Sequence, residues 1–150
     1  MREAPARTAG DLEANKRVAL DFIDRVFVHG DPRAIDELTT GDFTAHTFGP
    51  QPVGRDFLRQ ALPRVAAGIS DPEFRIEDVI AEGDRVAVRV TTSATHTGDF
   101  MGQPASGNRY SIQEIHVFRI RDGRVSEHWH EFDKAALLAQ LKPSQAAGSR

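Results

Sequence analysis

Two histidines stand fourteen residues apart, His116 in Tyr-Ser-Ile-Gln-Glu-Ile-His and His130 in Glu-His-Trp-His-Glu, with Arg-Asp-Gly-Arg between them. Imidazole titrates near neutrality, so two of them facing one cavity can give and take a proton at physiological pH with no cofactor. The chemistry to expect is acid and base catalysis on an organic molecule. The chain has no cysteine, which removes thiolate nucleophiles, thiolate metal sites and disulfides. It also lacks a glycine-rich phosphate loop and a nucleophilic serine elbow.

The runs that carry the two histidines alternate in polarity, as strands do. In the run from Arg109 to Arg121, the residues Tyr110, Ile112, Glu114, His116, Phe118 and Ile120 share one face. Tyrosine, glutamate and histidine in an otherwise apolar row are costly to bury and need partners or a purpose. The side taken by His130 depends on the turn. A two-residue turn at Asp122-Gly123 sets Trp129 opposite His116 and turns His130 away. A three-residue turn with a glycine bulge brings Ser126, His128, His130 and Phe132 to the face of His116. Spacing alone does not choose between them. The second arrangement separates polar chemistry from the apolar set of Trp129, Val125, Ile115 and Val117 better, and it is the expected one.

Further elements must hold these strands. Asp11 reads as the cap of a first helix whose apolar stripe is Ala19, Phe22, Ile23, Val26 and Phe27, ended by His29-Gly30. Asp31-Pro32 opens a short second helix through Leu38. A short run from Asp42 to Thr47 carries Phe43 and His46 toward the interior. Phe57, Leu58, Ala61, Leu62 and Val65 mark a third helix that Pro63 should kink or divide. Strands then follow over Glu73 to Ala81, Arg85 to Thr97, Arg109 to Arg121 and Arg124 to Phe132, before a closing helix from Asp133 to Leu141. Residues 98 to 108 form a longer loop of the kind that rims binding sites. The order predicts an α+β domain over residues 11–142, with helices on one face of a curved antiparallel sheet and tails at 1–10 and 143–150.

Three stretches of this order look familiar together: Gly83-Asp84-Arg85-Val86-Ala87-Val88, then His96-Thr97-Gly98-Asp99-Phe100-Met101-Gly102, then Arg121-Asp122-Gly123-Arg124 through Glu127-His128-Trp129. They resemble the SnoaL-like polyketide cyclases, or ester cyclases, of the nuclear-transport-factor-two-like superfamily. The resemblance implies a cone of curved antiparallel sheet closed by N-terminal helices, and cofactor-free cyclisation or isomerisation of an apolar, carbonyl-bearing, polyketide-like molecule. In such cyclases a histidine on the penultimate strand and an aspartate directly after the tryptophan of Glu-His-Trp act in the pocket, the aspartate as base. His116 matches the first position, whereas His130 stands where the aspartate would be. His116 and His130 are therefore the expected catalytic pair. His46, His96, Tyr110, Glu114, Met101, Phe43 and Phe118 are expected to contact the substrate, and Phe22, Phe57, Val88, Val90 and Ile112 to complete the wall.

At 150 residues, 39% hydrophobic and 27% charged, the chain is most simply one globular domain. The net charge of −3, with no basic stripe, argues against nucleic acid, and no apolar run is long enough to span a membrane. The first residues lack the apolar core of a secretory signal, so the cytoplasm is the expected compartment. A homodimer through the outer sheet face is expected from Trp129 and its apolar neighbours. Three other readings compete: a non-catalytic binding module of the same fold, an epoxide-opening enzyme, and a metal site of His116, His128 and His130. The epoxide reading needs an inward arginine, and Arg89 lies on the polar side of its strand. The metal reading is set aside because paired strands of this kind need no ion and the resembled family generally uses none.

Overall fold

The stripe of Ala19 and Phe22 forms the buried side of α1 (Ala9–Phe22) in the structure, a computed structural model that describes residues 9–143. The helix is already under way at Ala9, so Asp11 lies in its first turn rather than capping it. The rest of the two expected tails falls outside the described residues.

From Ile23 to Val28 the helix widens into a π-helical segment, with the His29 backbone N–H donating to the Asp24 carbonyl at 3.0 Å. The widening decides what faces the sheet. Phe22 and Phe27 are five positions apart, which a regular α-helix would separate by about 140°. Here their rings meet edge to face at 5.3 Å.

The short helix α2 (Pro32–Leu38) begins as expected, with the Asp31 carboxylate accepting from the Arg33 backbone N–H at 3.0 Å. It runs directly into β1 (Thr39–Ala45), three residues ahead of the expected start. The next helix, α3 (Arg55–Gly68), is continuous through Pro63. That residue is exposed, so solvent can satisfy the carbonyl its missing N–H leaves unpaired, and the expected division does not occur. Then come β2 (Ile69–Glu82), β3 (Arg85–His96), β4 (Arg109–Arg121), β5 (Arg124–Phe132) and α4 (Lys134–Gln140), the last capped by Asp133 onto the Ala136 N–H at 2.9 Å.

The strands form one open sheet in the order β1-β5-β4-β3-β2. Its last four strands are antiparallel, as expected, while β1 adds a parallel edge against β5. Register shifts in β2 between Ser70 and Glu73 and between Ile76 and Asp78 supply bulges that bend and twist the sheet. The α+β architecture, with helices over one face of a curved sheet, is the expected one.

The β4–β5 hairpin combines the two-residue turn with the parity expected of the bulged one. Asp122 and Gly123 have φ of 52° and 74°, the left-handed pair of a two-residue turn, and Arg121 pairs with Arg124. Further along, Ile120 pairs with Val125 but Arg119 pairs with Glu127, so Ser126 is an extra residue in β5. This bulge reverses the parity, and His116 comes to lie directly opposite His130. The orientation of His130 is the expected one; the glycine-bulged turn is not. Val125 is corrected too, since it is fully buried in the core rather than sharing the outer face with Trp129.

The apolar interior has two parts. In the larger, Ala19, Phe22, Ile23 and Val26 meet Val86, Val88, Val90 and Phe118 across the sheet. A smaller cluster of Ala94, Tyr110, Ile112, Leu137 and Leu141 is joined by Phe100, Met101 and Phe132 at the end nearer α4. The 97–108 loop is anchored by backbone N–H groups of Thr97 and Gly98 on the Gly68 carbonyl at 3.1 and 3.0 Å. The approach needs glycine, since a Cβ at residue 98 would lie 2.2 Å from the Ala67 carbonyl oxygen. On the outer face Ile115 is 48% exposed, within the patch where the expected homodimer would pair. No helix among the described residues is long and apolar enough to cross a membrane.

Candidate active site

Because the Ser126 bulge turns β5 over, the inward row of β4 and the histidines of β5 share one surface. That surface is the floor of a cavity of about 770 Å³. Its walls come from both apolar clusters and from the helices above, including Phe27, Leu58, Val65, Phe100, Ile112 and Leu137. The lining is apolar apart from a small polar group, as small-molecule sites commonly are. A second recess of about 690 Å³, between α1 and the β4–β5 turn, is lined largely by charged residues that pair with one another, such as Arg121 with Asp42 and Arg119 with Glu127. It has no histidine.

Glu114 is the centre of the polar group. The Nε2–H of His130 donates to its Oε1 at 3.1 Å, and the Thr92 hydroxyl donates to its Oε2 at 2.5 Å. The Nε2 of His116 lies 3.7 Å from the same Oε2. The rings of His116 and His130 stack at 4.2 Å with 8° between their planes, as the cross-strand register requires. The backbone N–H of His130 donates to the Thr47 hydroxyl at 2.6 Å, which ties β5 to the segment after β1. Behind His116 its Nδ1 lies 3.0 Å from the Nε2 of His128, a fully buried residue ringed by Phe22, Phe27 and Phe118.

Burial alone would push the Glu114 carboxyl up, but the adjacent His116 and His130 rings outweigh it and hold the group well below the usual carboxylate range. Burial drives His116 down and His128 well down, so both rings are neutral at physiological pH. Tyr110 is pushed up to about 12 by burial and by the nearby Glu114 charge, so its hydroxyl remains a donor.

The two depressed histidines set a pH dependence. In the unfolded chain they bind protons once the pH falls through about 6.5, while the folded chain still refuses them. Their share of stability is complete above that value and is lost on acidification. The expected slope is up to about 1.4 kcal/mol per pH unit for each ring. Urea unfolding at about pH 7.5 and about pH 5.5 measures it, and equal stabilities would mean that the rings are not held neutral.

The structure brings His116, His130, Glu114, Tyr110 and Met101 of the expected set into the cavity wall. It places the others elsewhere. His46 stacks on Trp129 at 4.9 Å and its Nε2 bonds Glu127 at 2.8 Å on the outer side of β5, because the parallel β1–β5 pairing carries it past the sheet edge. His96 is fully buried at the end of β3, where its Nδ1 meets the Ser106 hydroxyl at 2.8 Å and fastens the 97–108 loop. Phe43 and Phe118 pack against Phe22 in the larger core cluster, to which Val88 and Val90 also belong, so they fill the core beside the cavity rather than line it. Phe57 is 37% exposed and rests on Phe48. Arg89 pairs with Asp78 at 2.7 Å and does not enter the cavity, which leaves the epoxide reading without its arginine.

Thr92, Thr47 and the packing role of Phe27 were not anticipated as parts of the site. Thr92 had a visible signal, a hydroxyl in the inward row of β3 between Val90 and Ala94.

Ligand atoms of Glu114, His116 and His130 lie within 4.8 Å of one another, close enough to consider a metal ion. The grouping differs from the three-histidine set considered above, since the Nε2 of His128 is bonded to His116. Stacked, nearly parallel rings direct their nitrogen lone pairs side by side. An ion midway between them would sit out of both ring planes, whereas imidazole binds zinc in plane at about 2.0–2.1 Å. As arranged, Glu114 is hydrogen-bonded to His130 and faced by His116 at 3.7 Å, and chelation would require a ring to turn.

Residues 17–141 match the profile of the SnoaL-like polyketide cyclase family. An aklanonic acid methyl ester cyclase of Streptomyces peucetius is 33% identical over 64 residues, covering 40% of this chain and 44% of that one. A nogalonic acid methyl ester cyclase of Streptomyces nogalater is 33% identical over 83 residues, covering 53% and 61%. The matches thus span less than two thirds of either relative. Among solved structures, TsrD from Streptomyces laurentii superposes with a TM-score of 0.76 at 30% identity, covering 88% of this chain and 97% of that one. IdmH from Streptomyces antibioticus gives 0.74 at 28% identity, covering 85% and 97%.

Proposed function

Since the chain belongs to the SnoaL-like polyketide cyclase family, we propose that it is an enzyme that closes or isomerises an apolar, carbonyl-bearing molecule by proton transfer, with His130 as base and no cofactor. The observation that carries this reading is the Glu114–His130 hydrogen bond of 3.1 Å at the floor of an apolar cavity. A histidine whose Nε2–H is fixed on a buried carboxylate keeps its Nδ1 lone pair to accept a proton, and the carboxylate steadies the imidazolium that results. The carboxylate that related cyclases carry at position 130 would thus be supplied here from the neighbouring strand, acting through the imidazole.

In the reaction, His130 removes a proton from a carbon between two carbonyl groups. The enolate carbon then attacks a further carbonyl of the same molecule, outside the two that flank it, forming a carbon–carbon bond and placing the electron pair on oxygen. That oxygen takes the proton back from the His130 imidazolium, so no atom or electron is gained or lost. The Tyr110 hydroxyl and the apolar walls would hold the folded-back substrate in register.

The half-reaction can be tested without the natural substrate. Ethyl benzoylacetate, an aromatic β-keto ester, exchanges its central methylene protons in heavy water, and the protein is expected to accelerate this above the buffer rate. Saturable binding of the ester with no acceleration would favour the non-catalytic module instead.

A further inference from the structure

We propose that His128 is a positioning residue, whose Nε2–H donates to the Nδ1 of His116 and so holds that ring with its own Nε2–H turned to Glu114. The inference rests on the acid–base reading of the Glu114 cluster.

One proton occupies the 3.0 Å gap between the two nitrogens, and two arrangements are possible. If His116 were the donor, its Nε2 would be a bare lone pair facing the Glu114 carboxylate at 3.7 Å. Neutral His128 would then carry its proton on Nδ1, which is buried and has no partner. That arrangement combines a lone-pair repulsion with an orphaned buried N–H, a group that folded proteins very rarely tolerate.

If His128 is the donor, no N–H is stranded among the phenylalanine rings and the repulsion becomes an attraction. The unpartnered Nδ1 of His128 is then a bare acceptor among Phe22, Phe27 and Phe118 rather than a stranded N–H. The Nε2–H of His116 then faces the carboxylate anion at 3.7 Å, beyond hydrogen-bond reach, while His130 and Thr92 donate hydrogen bonds to it. A 3.7 Å contact is too long to fix a ring by itself. The fixed end of the chain is therefore the fully buried His128, held in place by the core.

The tautomers are read directly by nitrogen NMR of the ring atoms in the wild-type protein, with no substrate present. Expected are a protonated Nε2 and a bare Nδ1 on both His116 and His128, with coupling visible across their shared hydrogen bond. A proton on the Nδ1 of His128 would overturn the proposal. In exchange of ethyl benzoylacetate, His128→Leu is expected to lower kcat roughly tenfold to a hundredfold with KM little changed, the range typical of lost outer-shell partners. His128→Gln keeps a donor at a similar reach and should recover most of the rate. If Leu leaves kcat unchanged in folded protein, or Gln fails to rescue it, the residue is only structural. Should His128→Leu not fold, the wild-type tautomers and the Gln variant decide. If His130→Phe exchanges as fast as wild type, the acid–base reading fails, while the tautomer result stands or falls separately.

Discussion

His130→Phe is expected to lower turnover by about 10²–10⁴-fold, the loss that accompanies removal of a positioned general base. The substitution suits the site sterically. His130 is stacked between His116 at 4.2 Å and Phe132 at 5.1 Å, and a phenyl ring can occupy the same slot. Removing the imidazole takes one donor from Glu114, but the Thr92 hydroxyl and His116 remain beside that carboxylate. The protein should therefore fold, and far-UV circular dichroism together with the exchange rate of ethyl benzoylacetate separates lost chemistry from lost structure. A folded variant with wild-type exchange would remove His130 from the mechanism.

Glu114→Gln should cost about 10²–10³-fold in kcat with KM nearly unchanged, because the loss falls on the charged intermediate and not on the apolar walls that bind substrate. The side chain keeps its size and loses its charge. An amide also offers one acceptor oxygen and an NH₂ group where the carboxylate offers two oxygens. The His130 Nε2–H and the Thr92 hydroxyl meet different carboxylate oxygens, so one of them would face a donor. Steady-state exchange kinetics against substrate concentration give the two parameters. A rise in KM at constant kcat would instead mark Glu114 as a binding residue.

Most of the fold could be read along the chain because it rests on local signals. The Asp31-Pro32 cap, the alternation from Arg85 onward and the positive-φ pair at Asp122-Gly123 each depend on neighbours a few residues away. What escaped is non-local or counts residues on two strands at once. The parallel pairing of Thr39–Ala45 with β5 joins segments some eighty residues apart, and no periodicity in either one announces it. The parity of β5 hangs on Ser126, an ordinary residue with no turn signature. His46 was read from a short run whose sheet partner was unknown, and its side of the wall followed from that partner.

The site was legible in kind more than in wiring. Glu114 stood out as a polar residue in an apolar row, but its role as a shared acceptor needs the Val90–Glu114 and His116–His130 registers together. Likewise, His128 reads from its spacing as a second histidine of a His-x-His pair. Its contact with His116 depends on the bulge and on the wide turn that sets Phe27 beside both rings.

The interior is divided, and the division separates two kinds of change. Glu114, His116 and His130 form the floor on β4 and β5, with Phe132 stacked beside His130, whereas Phe100, Met101 and Leu137 of the ceiling belong to the smaller cluster near the loop and the terminal helix. Exchanging ceiling side chains for others of similar bulk disturbs few contacts of the larger cluster. The cavity can thereby be refitted to molecules of different outline while Glu114, His116 and His130 keep their arrangement, so chains built on such a scaffold can differ in what they accept without changing that polar floor.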